Sequence, residues 1–217
     1  MRRSVAAGAI FLLLPGCGGE APRDESAPMT FFLTSAGLGD GADLGGLAGA
    51  DAHCQGLAEA AGSERLVWRA YLSTTGEEGE NARERIGAGP WWNAAGVRVA
   101  DDVEHLHSDR NWLGKKHTLT ERGDQVNGRG DTPNRHDILT GSLADGRAST
   151  AEDDTTCSNW TSNAPDGSAL VGHHDKQGGG PDPKSWNSAH GSQGCGQEDL
   201  RATGGDGLFY CFAAGVQ

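Results

Sequence analysis

Five cysteines, eight histidines and thirty acidic side chains are the residues of this chain best equipped for chemistry. His173, His174 and Asp175 are adjacent, with His190 not far beyond, and His105 and His107 would share the face of a strand. Two or three such imidazoles suffice to bind zinc. Oxygen donors gather in the same late region: Asp153, Asp154, Asn163, Asp166, Asp175, Asp182 and Asn187. A calcium ion draws on roughly six to eight oxygens of these kinds. Solvated loop side chains also account for both groups and are the preferred reading of each. No HExxH, GxSxG or phosphate-binding glycine loop is present, so the chain reads as a non-enzyme, with catalysis a minor alternative. Trp68 and Trp160 suit a core. Trp91, Trp92, Trp112 and Trp186 are candidates to stack on a sugar ring or to anchor a protein partner. Arg129-Gly130-Asp131 spells an integrin-recognition tripeptide, which a chain rich in all three residues produces by coincidence.

The cysteines divide by position. Leu14-Pro15-Gly16-Cys17 closes a short apolar run that begins after Arg2 and Arg3. That layout of charge, apolar core and small residues is a secretory signal, and the run is too short to span a bilayer. Its end resembles a bacterial lipobox, which makes residues 1–16 a removable signal and Cys17 a lipidated anchor. Gly18 in place of aspartate then favours the outer membrane. Residues 17–28 are small, polar and proline-bearing and read as a flexible tether. Residues 29–217 remain as one domain.

Cys54, Cys157, Cys195 and Cys211 are then an even set in an exported chain, which implies two disulfides. Four cysteines allow three pairings. The nested one, Cys54–Cys211 with Cys157–Cys195, is preferred because its outer link joins the start of the domain to its end. No pair has the close spacing of a zinc knuckle.

The net charge is −12, and more negative once Arg2 and Arg3 leave with the signal. Nucleic acid is excluded as a partner by the absence of a cationic run. Thirty-five glycines and few aromatics predict few long elements and much loop. The pattern predicts a strand at 30–35, a helix at 47–61 with Cys54 on its apolar stripe, a strand at 67–74, a short helix at 82–86 and brief strands at 97–100 and 136–142. It predicts a terminal strand at 208–213. Residues 107–136 and 143–206 read as loop.

The succession of Gly45-Gly46-Leu47-Ala48-Gly49-Ala50-Asp51 before Cys54, then Leu139-Thr140-Gly141, Cys157-Ser158-Asn159-Trp160-Thr161-Ser162, Cys195 and Tyr210-Cys211-Phe212 resembles the bacterial endostatin-like, lectin-like family of surface lipoproteins, over about residues 29–214. The resemblance implies an α+β, C-type-lectin-like fold. Such a fold has mostly antiparallel strands, one main helix, a long loop region and the same two nested disulfides. It does not imply a ligand. Sugar-binding members use Glu-Pro-Asn-like and Trp-Asn-Asp triplets. Here Ala164-Pro165-Asp166 and Trp186-Asn187-Ser188 each lack one ligating group, leaving Asp166, Asp175 and Asn187 as the calcium candidates.

The expected function is that of an envelope lipoprotein whose lectin-like domain binds an extracellular glycan or protein through the loop region 150–195, with Trp112, Trp186, Asn187, Asp166 and Asp175 as contact residues. The alternative is a structural envelope protein that acts through fixed protein neighbours and takes no small ligand.

Overall fold

The computed structural model describes residues 20–63, 66–151 and 153–216. The signal and Cys17 lie outside the described residues, and no described helix is long and apolar enough to cross a membrane. The fold is mixed α+β with few helices and two disulfides, Cys54–Cys211 and Cys157–Cys195, the pairing expected from the sequence.

The sheet is organised by its last strand. Strand β1 is Phe31–Leu33, β2 is Leu66–Ala70, and Trp91–Trp92 (β3) pairs with Arg98–Ala100 (β4) in a separate ribbon. Asp137–Leu139 (β5), Leu170–His173 (β6), His190–Gly191 (β7) and Gly205–Val216 (β8) complete the set. β8 pairs antiparallel with both β1 and β2, so the N-terminal strand and the C-terminal strand lie side by side. β5 runs parallel to β8, followed outward by antiparallel β6 and then β7.

Successive side chains of a strand point to opposite faces, and on β8 both faces are buried. Phe209 and Cys211 join Phe32, Trp68 and the apolar stripe of helix α1 (Gly46–Ala60) in one core. Leu208, Tyr210 and Phe212 join Phe31, Tyr71, Trp91 and Trp186 in the other. A chain with only 35% hydrophobic residues therefore builds two cores by using large aromatics on both sides of one strand. Asp51 of α1 adds a polar fastening: Arg69 and Arg85 each reach its carboxylate at 2.8 Å, and the Ala70 N–H donates to it at 2.9 Å.

Three readings change. β6, β7 and the helix Gln197–Thr203 fall where loop was expected, because elements of two to seven residues are too short to show a period. Residues 20–28 are not a free tether. Ala21 is buried, Arg23 bridges Val97, and the carbonyl of Pro22 accepts from the Arg98 N–H at 2.8 Å. Polar, proline-bearing chain can still lay its backbone along β4, since such pairing uses no side chain. His105 and His107 belong to the short helix Val103–Leu106 and its cap, not to a strand.

The CSNW motif is a left-handed turn: Cys157, Ser158, Asn159 and Trp160 have φ of 49°, 55°, 55° and 67°. Each such residue costs about 1–2 kcal/mol. The turn is held by the Cys157–Cys195 bridge, by Trp160 Nε1 donating to the Ser73 carbonyl at 2.8 Å, and by Asn159 Oδ1 accepting from the Thr75 N–H at 2.8 Å.

Candidate metal centre

Strand register brings the chemistry together. Asp137 lies opposite His173 across β5 and β6, and His190 lies opposite Val171, two residues from His173. Residues two apart share a face, so Asp137, His173 and His190 project from one side of the sheet. His136, just before β5, stacks its ring on His173 with centroids 4.3 Å apart and planes within 8°.

The four side chains converge on Asp137 Oδ1. The Nε2 atoms of His136, His173 and His190 lie 3.1, 3.3 and 3.5 Å from it. Ligand atoms of His136, Asp137 and His173 all fall within 4.8 Å of one another. Ligands of a tetrahedral zinc at its usual bond lengths stand about 3.3 Å apart. His173, Asp137 and His136 are buried, while His190 is 21% exposed and forms the rim.

The outer nitrogens fix the tautomers. Nδ1 of His136 meets the Gln177 carbonyl at 3.1 Å, that of His173 the Pro183 carbonyl at 2.9 Å, and that of His190 the Gly191 carbonyl at 2.9 Å. A carbonyl only accepts, so each Nδ1 directs its proton outward and each Nε2 is the ring atom turned to Asp137, the one a bound metal would take. Backbone carbonyls orient zinc-ligating histidines in this way. The carboxylate oxygens of Asp137 and Nε2 of His173 have no hydrogen-bond partner among the described residues. Burial pushes the Asp137 carboxyl up, yet the nearby His173 and His190 hold it below its usual value, so it is an anion at neutral pH. Three Nε2 atoms turned to one carboxylate form a seat for a cation that displaces their protons.

Asp175 supports this set without joining it. Burial raises its carboxyl, but His136 and the N–H groups of Arg129 and Gln177 outweigh that and hold it at about 2. Two glycines let the backbone close over the rings. A Cβ on Gly178 (φ +154°) would lie 2.3 Å from His173 Cε1, and one on Gly204 (φ +108°) would lie 3.2 Å from His136 Nε2.

The sequence named His173 and His190 for zinc and missed His136 and Asp137. The available signal was a His-Asp pair opening an apolar strand, where a charge needs a partner. His174 is buried but donates Nε2–H to the Asn127 carbonyl, and His105 is tied to Asp101 and Arg110.

His107 donates Nδ1–H to the Val103 carbonyl and accepts from the Tyr71 hydroxyl, each at 2.7 Å. Burial lowers its pKa. Between the lowered folded value and the ordinary one near 6.5, the unfolded chain binds more protons, so stability falls as pH drops through that window. The native protein is expected to lose more stability from pH 7 to pH 5 than a His107→Gln variant, read by denaturant melts at both pH values. Equal losses would remove this linkage.

The calcium candidates keep separate partners. Asp166 is exposed, and Asp175 is held by Arg129 and Gln177. Asn187 is buried, donating to the Tyr71 hydroxyl and the Leu143 carbonyl. Trp186, 4% exposed, packs on Tyr71 and Tyr210 as a core residue. Trp112 is half-buried and, with Trp92, sandwiches the Arg98 guanidinium. Asp131 of the Arg-Gly-Asp tripeptide is paired with Lys115. No protein-family model matches the chain, and no curated protein is significantly similar to it.

Proposed function

We propose that this protein is a metal-dependent binding module of the bacterial envelope: a lectin-like domain, exported and anchored through Cys17, whose sheet holds one zinc-type ion. The convergence of three histidine Nε2 atoms on the buried carboxylate of Asp137 carries the reading. Three imidazoles and one carboxylate match zinc or a neighbouring late transition metal, and match poorly the all-oxygen shell of calcium. His136, Asp137 and His173 supply three ligands within 4.8 Å of one another, and His190, 3.5 Å from Asp137 Oδ1, stands at the rim as the fourth. The lectin-like architecture is supported by the paired ends of the chain and by a disulfide from the main helix to the terminal strand.

Equilibrium dialysis of the purified protein against zinc and calcium tests the reading. One tightly held zinc per chain, undiminished by millimolar calcium, is expected. Calcium uptake at the same stoichiometry without zinc would replace this proposal with an oxygen-ligand site.

A further inference from the structure

Beside the metal centre lies a cleft of about 590 Å³, lined among others by Asn111, Lys176, Lys184, Ser185, Trp186 and Asn187. That size suits one or two sugar rings. Its floor is rigid, because Trp186 is packed into the aromatic core and Asn187 is hydrogen-bonded to Tyr71.

Lys176 sets the chemistry of the cleft. Its backbone is left-handed, with φ of 54°, a conformation L side chains adopt at a cost. Its ammonium is drawn inward to Asn111 Oδ1 at 2.6 Å. Among the described residues Lys115 is the one lysine in a salt bridge, so Lys176 and Lys184 make none, and Asp109 acts on Lys176 only from beyond salt-bridge distance. Burial lowers the Lys176 ammonium, and an anion brought by a ligand would relieve that standing cost. Asp109 and Asp182 also line the cleft. They accept from hydroxyl groups and repel a multiply charged phosphate or sulfate. A singly charged carboxylate on a hydroxyl-rich body satisfies both requirements.

The wall of the cleft is the segment 176–190, and the same segment completes the metal centre. Gln177 and Pro183 supply the carbonyls that orient His136 and His173, and His190 is the rim ligand. Metal binding is therefore coupled to the placement of the Lys176–Lys184 part of this wall.

We infer that the cleft between Lys176 and Lys184 binds a carboxylated saccharide of the uronic-acid class, and that the ion at His136, Asp137, His173 and His190 orders the cleft without touching the sugar. The inference rests on the proposed metal-binding function. Calorimetric titration with a galacturonic acid disaccharide and its neutral galactose counterpart tests it, on zinc-loaded and EDTA-treated protein. Zinc-loaded protein is expected to prefer the uronate at least tenfold, and zinc removal to weaken binding at least tenfold. Lys176→Met is expected to abolish the preference with zinc affinity intact, while Lys176→Arg retains it. Zinc binding without uronate binding, or a Lys176→Met protein that still prefers the uronate, would overturn this inference alone. Equal uronate affinity with and without zinc would overturn the ordering role of the ion. A protein that takes up no zinc would remove the proposed function and the ordering role together.

Discussion

Alanine in place of His173 lowers zinc affinity on the order of a hundredfold or more while the domain stays folded. His173 is wholly buried, its Nε2 is 3.3 Å from Asp137 Oδ1, and its Nδ1–H is committed to Pro183. Its removal takes away a ligand whose orientation is already fixed by the Pro183 carbonyl. Even the loss of an outer partner of a zinc ligand costs about 10–100-fold in affinity, and a direct ligand costs at least that. Asp137→Asn separates charge from shape. It keeps the volume and removes the anion, and a comparable loss is expected. His190→Ala removes the half-buried rim ligand and is expected to cost less, about tenfold. Competition with a chelating dye measures all three, and circular dichroism reports whether each variant folds. Wild-type affinity in a folded His173→Ala protein would mean that zinc, if bound, sits elsewhere.

Replacing Cys54 and Cys211 together by alanine is expected to destabilise the protein by about 5 kcal/mol, or about 10–20 °C in melting temperature. The bridge closes a loop between residues 157 apart, joining the middle of α1 to the strand that organises both cores. Opening it returns the entropy of that long loop to the unfolded chain. Both sulfurs are buried, and alanine leaves no unsatisfied polar group behind. The Cys157–Cys195 link spans 38 residues and gives a smaller entropic figure, about 4 kcal/mol. It also holds the left-handed turn, so its loss adds local disorder around Trp160. Thermal melts of the two double variants compare them directly. A shift below about 3 °C for the Cys54/Cys211 pair would show that α1 and β8 stay docked by packing alone.

What could be read from the residue pattern follows the length of each element. Helix α1 announces itself over four turns, from Leu47 through Cys54 to Ala58, and the terminal strand shows as an apolar run around Phe209–Phe212. That there are two disulfides follows from counting once Cys17 is set apart, while their partners among three possible pairings rest on the preference for joining the start of the domain to its end. β6 and β7 have no such signal, because four and two residues cannot establish a period. Their pairing is imposed by β5 and by the carbonyl network around them. The left-handed turn at Cys157–Trp160 opposes local preference altogether, so no propensity argument reaches it.

The metal centre was half legible for the same reason. His173 and His190 drew notice as late histidines in a glycine-rich region. His136 and Asp137, some 35 residues earlier, were read as the start of an ordinary strand. Only the register Asp137↔His173 and Val171↔His190 puts Asp137, His173 and His190 on one face, with His136 joining from just before β5, and register is a property of pairing, not of either strand alone. The calcium candidates illustrate the converse. Asp175 and Asn187 are buried where solvated loop side chains were the preferred reading, and each carboxylate or amide is spent on the fold around it.

X-ray absorption at the zinc edge of the loaded protein tests the central claim most directly. A first shell of four light atoms at about 2.0–2.1 Å, with the outer-shell signature of three imidazoles, is the result this architecture predicts. A shell of oxygen alone, or one with a single imidazole or with sulfur, would contradict it.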